Sequence, residues 1–233
     1  MSTATLGVLG GMGPAATADF LAKLADGTPA ARDQDHLRTI VYSDPTTPDR
    51  SEAIQGLGPS PLPAMVAGVQ FLERNGVDLI AIPCNTAHYW FTELQQSVDT
   101  PIVHIVDALL EQVRQEAPDV RTLGLLATNG TLQARIYHEA LHRAGISALD
   151  LTDLGTANPV MSGIRAMKSG EVLEARHTLN KAIATLVERG AHGVVYGCTD
   201  VSAALDLPPA GVDVGAWDSA NALALACIER LQD

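Results

Sequence analysis

The chain has 233 residues, a length that suits one large domain or two small ones. It carries 27 Asp and Glu residues against 15 Lys and Arg. The formal net charge of −12 argues against a nucleic-acid binder or a protein that docks on an anionic membrane, since both need a basic surface. No stretch approaches the roughly 20 apolar residues of a membrane-spanning helix. Three widely spaced cysteines cannot form a disulfide framework, so we expect a cytoplasmic protein.

Short apolar runs that end in Gly or Pro alternate along the chain with longer segments of helical pattern. Their alternation predicts βαβ units with parallel sheets. The predicted strands lack an apolar/polar alternation, so we expect helices on both faces of each sheet. In chain order the predicted elements are a strand at 5–9, a helix at 15–24, a strand at 37–42, a helix at 63–74, a strand at 77–82, a helix at 87–97, a strand at 102–105, a helix at 108–116, a strand at 122–127 and a last helix at 219–231.

The sequence contains an internal repeat. Thr-Leu-Gly-Val-Leu at 5–9 matches Thr-Leu-Gly-Leu-Leu at 122–126. Residues 76–84 match residues 190–198 at nearly the same offset, and in both segments a Gly ends a helix and a cysteine follows the next strand. A helix, a Gly and a strand are common to all βαβ units, but two matches at nearly one offset favour a duplication.

We therefore predict an α/β fold of two similar halves with mainly parallel sheets. The first half comprises 1–101 plus 212–233 and carries Cys84, and the second comprises 102–211 and carries Cys198. We expect the halves to be related by a pseudo-twofold axis, with the active site in the cleft between them. The last helix is expected to return to the first half.

Cys84 and Cys198 both come at carboxyl ends of predicted parallel strands, where ligands bind in α/β sheets. Each precedes polar residues that can cap a following helix, and a helix N-terminus lowers the pKa of a thiol. Two thiols that face one cleft from opposite sides suit removal of a proton from one face of a carbon and its return to the other. The alternative is that each cysteine is a small buried apolar residue. Cys227, in an apolar helical run, fits that alternative.

Three motifs carry a resemblance to a known family: Leu-Gly-Gly-Met-Gly-Pro at 9–14, Pro-Cys-Asn-Thr-Ala-His at 83–88 and Gly-Cys-Thr-Asp at 197–200. They resemble the signatures of the cofactor-independent aspartate/glutamate racemases, nearest the aspartate racemases. The resemblance implies a two-domain α/β fold that is commonly dimeric and uses no pyridoxal phosphate, metal or nucleotide. It also implies that Cys84 and Cys198 are the paired acid/base thiols. Asp200 stands where the family usually has Glu.

An acidic amino acid needs local cations for its two carboxylates. Arg50 and Lys168 match the carboxylate-binding positions of the resembling family, and the alternative for each is a solvated surface cation. Further predicted substrate-binding residues share a place at a strand end or loop turn, and the hydroxyls among them can equally serve as helix caps. They are Met12, Asn85, Thr86, Thr128, Thr131 and Thr199.

The predicted function is a homodimeric isomerase that interconverts L- and D-aspartate, or glutamate, by a two-base proton transfer between thiols and without a cofactor. Two alternatives stay open: a related isomerase or decarboxylase that uses one thiol on the same scaffold, and a non-catalytic protein that binds an acidic amino acid. A dinucleotide site at 11–16 is disfavoured because Pro14 removes an N–H and the acidic residue, Asp44, comes too late. A zinc site that uses His88 with the two cysteines is disfavoured because no Cys-x-x-Cys pair is present. We expect His88 to pack or to hydrogen-bond.

Overall fold

The computed structural model describes residues 4–207, 209 and 214–232. Its strands are β1 (Thr5–Gly10), β2 (Arg38–Ser43), β3 (Leu79–Ala81), β4 (Thr122–Ala127), β5 (Ser147–Leu149), β6 (Gly193–Gly197) and β7 (Gly215–Asp218). Its α-helices are α1 (Pro14–Gly27), α2 (Arg50–Ile54), α3 (Leu62–Arg74), α4 (Phe91–Gln96), α5 (Ile105–Glu116), α6 (Asn129–Gln133), α7 (Ile136–Arg143), α8 (Pro159–Lys168), α9 (Val172–Glu188), α10 (Thr199–Ala204) and α11 (Ser219–Gln232). Short 3₁₀ segments cover Asp33–Asp35, Thr86–Trp90 and Thr152–Ala157. None of the described helices is both long enough and apolar enough to cross a membrane.

The chain divides into two units. Unit 1 contains the described residues of Met1–Ala108 and Ala220–Asp233, and unit 2 is Leu109–Ser219. These limits differ from the predicted ones, since the chain passes from unit 1 to unit 2 inside α5 rather than at residue 101. The predicted limit at residue 211 lies outside the described residues. The segment predicted at 212–233 does not lie wholly in the first half. Its strand β7 pairs in parallel with β6 and so extends the sheet of unit 2.

The described sheet of unit 1 has the strand order β2-β1-β3, and both pairings are parallel. The central strand β1 is buried at all six positions, as expected for a parallel strand covered on both faces. The strand predicted at 102–105 is reduced to a single parallel bridge between Ile80 and Ile102, because α5 already begins at Ile105. At one end of this unit α1 and α11 pack closely: a Cβ placed on Gly27 would lie 3.1 Å from Ile228 Cδ1.

The described sheet of unit 2 has the order β5-β4-β6-β7, again with parallel pairings. The predicted class of fold, α/β with parallel sheets, is therefore confirmed. The internal repeat of the sequence falls on equivalent elements, since β1 and β4 each pair on both sides, and the strands that lead to the two cysteines, β3 and β6, pair with β1 and β4 respectively. Gly76 and Gly190, which end α3 and α9, both have the positive φ angles that favour glycine (74° and 96°).

Each unit has its own cluster of buried side chains. In unit 1 the cluster includes Met12 and Cys84, and in unit 2 it includes Leu179 and Cys198. In unit 2, α8 lies so close to α9 that a Cβ on Gly163 would come within 2.5 Å of Leu179 Cγ. The two site cysteines are thus anchored in packed cores rather than in loose surface loops.

Candidate active site

In unit 1 the predicted site residues follow the carboxyl ends of three neighbouring parallel strands. Met12 follows β1, Arg50 follows β2 and Cys84 follows β3. Because the strands are parallel, these three ends share one edge of the sheet, which is where α/β sheets bind ligands. Unit 1 therefore gathers its predicted residues at one place.

The loop after β1 is shaped by a glycine. Gly11 has φ +87°, and a Cβ there would lie 2.4 Å from backbone atoms of Asp44. The neighbour that requires glycine at position 11 is therefore the backbone after β2. Met12 is 6% exposed and packs in the same buried cluster as Cys84.

Arg50 is held by backbone carbonyl groups. Its Nη1 donates to the carbonyls of Thr47 (3.1 Å) and Pro48 (3.0 Å), and its Nη2 donates to the carbonyl of Met12 (3.1 Å). Its Nε is buried and has no hydrogen-bond partner among the described residues. Arg50 is therefore a fixed, half-buried guanidinium that joins the loops after β1 and β2, and not the freely solvated cation of the alternative prediction.

Cys84 is a free, buried cysteine, 7% exposed. Its carbonyl accepts a hydrogen bond from the backbone N–H of Ala87 (3.2 Å), so the chain turns at once into the 3₁₀ segment Thr86–Trp90. Asn85 and Thr86 are buried beside it. We expected these polar residues to cap a helix, but the Asn85 side chain makes no capping hydrogen bond to the segment that follows it.

His88 packs beneath Cys84. Its Nδ1 lies 3.0 Å from the Cys84 carbonyl and its Nε2 lies 3.4 Å from the Val103 carbonyl. Burial, helped by the nearby His104, lowers the pKa of His88 to about 3, so the imidazole is neutral near pH 7. The expectation that His88 packs and hydrogen-bonds is confirmed. In the part of the chain that the structure describes, no group of three or more His, Cys, Asp or Glu side chains is arranged to hold a metal ion.

In unit 2 the loop after β4 carries two of the predicted threonines. Thr128 caps α6 by accepting from the backbone N–H of Thr131 at 3.2 Å, and their two hydroxyls lie 3.0 Å apart. Thr131 is fully buried. The helix-cap alternative therefore describes Thr128, and this cap fixes the turn at the carboxyl end of β4.

Cys198 follows β6 and is the N-cap residue of α10, 7% exposed. Burial, followed by the charge of Asp200, raises the pKa of the Cys198 thiol to about 12, while the N–H groups of Asp200 and Val201 and the charge of Lys168 act in the opposite direction. The predicted lowering of the thiol pKa by a helix N-terminus is therefore wrong for Cys198. The reason is that the cost of burying a thiolate exceeds the stabilisation that the short α10 provides.

Asp200 contacts both Cys198 and Lys168. The Cys198 thiol points to its Oδ2 at 3.8 Å, and Lys168 Nζ lies 3.9 Å from the same oxygen. Burial raises the pKa of Asp200, and Lys168 partly offsets that effect. The shorter Asp arm thus still reaches the thiol. The Lys168 side chain is 61% exposed, so its pairing with Asp200 is weak and easily replaced.

Several buried polar residues around the Cys198 turn were not among the predicted site residues. Ser202 donates from its backbone N–H to the Cys198 carbonyl (3.1 Å) and from its hydroxyl to Asp218 Oδ1 (2.8 Å). Tyr137 is fully buried and is hydrogen-bonded to Ser219. Burial raises the pKa of Tyr137, so it stays a neutral phenol. No strand was predicted at β7, so the sequence analysis did not find the place of Asp218, which ends β7, or of Ser219, which begins α11.

The structure thus gathers the predicted residues into two sets, each at the carboxyl edge of its own sheet. Unit 1 holds Met12, Arg50, Cys84, Asn85 and Thr86, and unit 2 holds Thr128, Thr131, Lys168, Cys198 and Thr199. Cys227 is fully buried in α11, where burial raises its pKa to about 12, and its predicted role as a helix core residue is confirmed. Each of the two α/β units therefore has one thiol after the strand that pairs with β1 or β4, an arrangement that defines the class of protein to compare with.

Comparison with known proteins identifies that class. The family model described as Asp/Glu/hydantoin racemase matches residues 9–227. The broad specificity amino-acid racemase RacX of Bacillus subtilis (strain 168) is 31% identical over 205 residues, which cover 86% of this chain and 87% of that protein. The chain therefore belongs to the Asp/Glu/hydantoin racemase family, and the predicted family and enzyme class, an isomerase of the racemase type, are confirmed.

Solved structures agree with this assignment. Picrophilus torridus aspartate racemase matches with a TM-score of 0.87 and 31% identity, covering 98% of this chain and 94% of that chain. A glutamate racemase isoform of Bacillus anthracis matches with a TM-score of 0.68 at 18% identity, covering all of this chain and 83% of that chain, and so shares the fold.

Proposed function

We propose that the protein racemises aspartate without a cofactor, with Cys84 and Cys198 as the two acid/base groups at the α-carbon. The observation that carries the proposal is the equivalence of the two thiols. Each is buried, each follows the corresponding strand of a repeated unit, and each is followed by a turn with polar side chains. Aspartate is the first substrate to test because an aspartate racemase matches the chain over nearly its whole length.

The proposed reaction uses the thiols in opposite protonation states. Cys84 removes the α-proton from one face of the substrate as a thiolate, and the Cys198 thiol donates its proton to the other face of the resulting carbanion. The raised pKa of Cys198 supports its role as the proton donor in this direction. After the transfer Cys84 holds the proton and Cys198 has lost one, so the reverse reaction follows the same steps backwards.

Arg50 and Lys168 are proposed to hold the two substrate carboxylates. The fixed position of Arg50 supports its role, because a guanidinium that needs no reordering loses less entropy on binding. The Lys168 side chain is mostly exposed and its pairing with Asp200 is long, so a substrate carboxylate can replace Asp200 as its partner. Met12, Asn85, Thr86, Thr128, Thr131 and Thr199 are proposed to line the substrate site.

Stabilisation of the developing negative charge is the demanding part of the reaction. The α-proton of an amino acid is weakly acidic, so donors that face the α-carboxylate are expected to lower the barrier more than any other feature. Proton transfer by a positioned thiol adds about 10²–10⁴-fold. Loss of either thiol should therefore reduce racemisation by at least about 10²-fold.

The experiment follows optical rotation and α-deuterium incorporation with L- or D-aspartate in D₂O and no added cofactor. Racemisation with deuterium in the product, lost in both Cys84→Ala and Cys198→Ala, supports the proposal. Cys227→Ala is the matched control, because it removes a buried thiol outside the proposed site and should retain activity. Full activity in either site variant would contradict the two-base mechanism, and binding without exchange would indicate a non-catalytic protein.

A second candidate is racemisation of a wider set of amino acids. It is favoured by the similarity to a relative named as a broad specificity racemase. Glutamate and a panel of neutral and basic amino acids assayed beside aspartate separate the two candidates. A kcat/KM for a neutral amino acid equal to that for aspartate would favour broad specificity.

A further inference from the structure

A basic cleft lies on unit 2 along α7, and its lining contains none of the proposed site residues. It has a volume of about 800 Å³. Its charged lining comprises Arg135, His138, Glu139, His142 and Arg143, and the segment from Gly145 to β5 forms the other wall. With His counted as neutral, two arginines against one glutamate give this lining a formal charge of +1 on a chain with a net charge of −12.

His138, Glu139, His142 and Arg143 lie on one face of α7, because their positions are spaced by three or four residues, the spacing that lines up side chains along a helix. Arg135 is the N-cap residue of α7 and lines the cleft where the helix begins. The buried side chains of α7, among them Tyr137 and Leu141, occupy the other face. Arg135 caps the start of the eight-residue helix α7 and Arg143 is its last residue, so the two arginines lie at opposite ends of a helix about 12 Å long.

Several of these groups are left without partners inside the protein. The side chains of Arg135, His142 and Arg143 make no ion pair or hydrogen bond with any residue that the structure describes. His138 is fixed differently, because its Nε2 lies 3.1 Å from Asp150 Oδ2. Its Nδ1 is buried and has no partner among the described residues, which is a costly state unless a ligand or water supplies one.

We propose that this cleft is a second ligand site, which takes a small anion with several phosphate groups in a row. A guanidinium group can donate two parallel hydrogen bonds to two oxygens of one phosphate, which favours a ligand that carries phosphate groups. Cations spread along about 12 Å of helix suit an extended oligophosphate better than a single compact anion. A cleft of this volume lies within the usual range for small-molecule sites.

The test measures binding of phosphate, pyrophosphate and tripolyphosphate by calorimetry at low salt. Affinity should rise in that order, and the double variant Arg135→Asn/Arg143→Gln should bind tripolyphosphate at least about tenfold more weakly. Asn is chosen because Arg135 has a left-handed conformation, φ 58°, that Asn tolerates. Arg121→Gln is the matched control, since it removes an exposed arginine outside the cleft and should change the affinity less than about twofold.

A variant that should tighten binding shows whether weaker binding in the double variant comes from lost charge rather than from a folding defect. Glu139→Gln removes the one carboxylate in the charged lining and should tighten tripolyphosphate binding by about threefold or more. Each variant is compared with the parent by its circular dichroism and its unliganded melting temperature. Absence of saturable binding, equal affinity for phosphate and tripolyphosphate, or unchanged affinity in both cleft variants would overturn the proposal.

Discussion

Asp200 controls how easily the Cys198 thiol ionises, and this effect can be measured directly. Its Oδ2 lies 3.8 Å from the Cys198 sulfur, and its charge is the second cause, after burial, of the raised pKa of that thiol. In Asp200→Asn the side chain keeps nearly the same size but loses its charge. We expect the thiolate of Cys198 to form more readily in this variant.

The size of the effect follows from the distance. Two unit charges 3.8 Å apart interact by about 1 kcal/mol in water and by about 4 kcal/mol at an effective dielectric constant of about 20. Asp200 is partly exposed and has Lys168 beside it, so the lower figure applies. About 1 kcal/mol corresponds to a thiolate fraction about sixfold larger at a fixed pH below the pKa.

The assay is the rate of alkylation of Cys198 by iodoacetamide, followed by mass spectrometry of its peptide at a series of pH values. Asp200→Asn in a Cys84→Ala background should react about sixfold faster than Cys84→Ala alone. Asp206→Asn is the matched control, because it removes one carboxylate whose charge pairs with Arg176 instead of Cys198. Equal alkylation rates with and without Asp200 would refute the assigned electrostatic role.

Three further predictions concern stability and substrate capture. The pKa of His88 is lowered to about 3 in the folded protein, so below pH 6.5 the unfolded chain binds a proton that the folded protein does not. The free energy of unfolding should therefore fall by about 1.4 kcal/mol for each pH unit below pH 6.5. Urea unfolding of His88→Gln should show a weaker dependence between about pH 6.5 and 4.5, and an unchanged slope would contradict this. Gly163→Ala should lower the free energy of unfolding by about 1–3 kcal/mol, because its methyl group would clash with Leu179. In the double variant with Leu179→Ala, part of this loss should be recovered. If urea unfolding shows that the two substitutions lower the free energy of unfolding additively, the steric cause is wrong. Replacing Arg50 or Lys168 by Gln should raise KM for aspartate by a larger factor at about 20 mM salt than at about 0.5 M, because salt screens the repulsion by a net charge of −12. Equal factors at both salt concentrations would argue against an electrostatic role.

Much of the fold could be predicted from local sequence signals. The strand predicted at 122–127 has both of its predicted limits, and the helix predicted at 63–74 ends at Arg74 as predicted, because a continuous apolar run and a glycine after a helix are local features. The strand predicted at 102–105 failed because an apolar run of that length serves equally as the start of a helix, and α5 begins there. The place of β7 could not be found either, since sheet membership is decided by partners distant in sequence.

The positions of the candidate site residues at strand ends could be predicted from the sequence, but their electrostatics could not. The repeat placed Cys84 and Cys198 at equivalent strand ends because periodicity and glycine positions survive in the sequence. The raised pKa of Cys198 depends on burial by side chains from several elements, which a motif does not record. The role of Arg50 shows the same limit, as its carbonyl partners come from two separate loops, one of them at Met12.

The division of the chain has a consequence for its synthesis on the ribosome. Unit 2 is one continuous segment, whereas unit 1 is made of two segments that flank it. Unit 1 begins to emerge first but is completed last, when α11 can pack against α1 near Gly27. Until then the apolar surface of α1 that receives Ile228 is uncovered, so nascent chains paused before α11 should be the ones that chaperones retain.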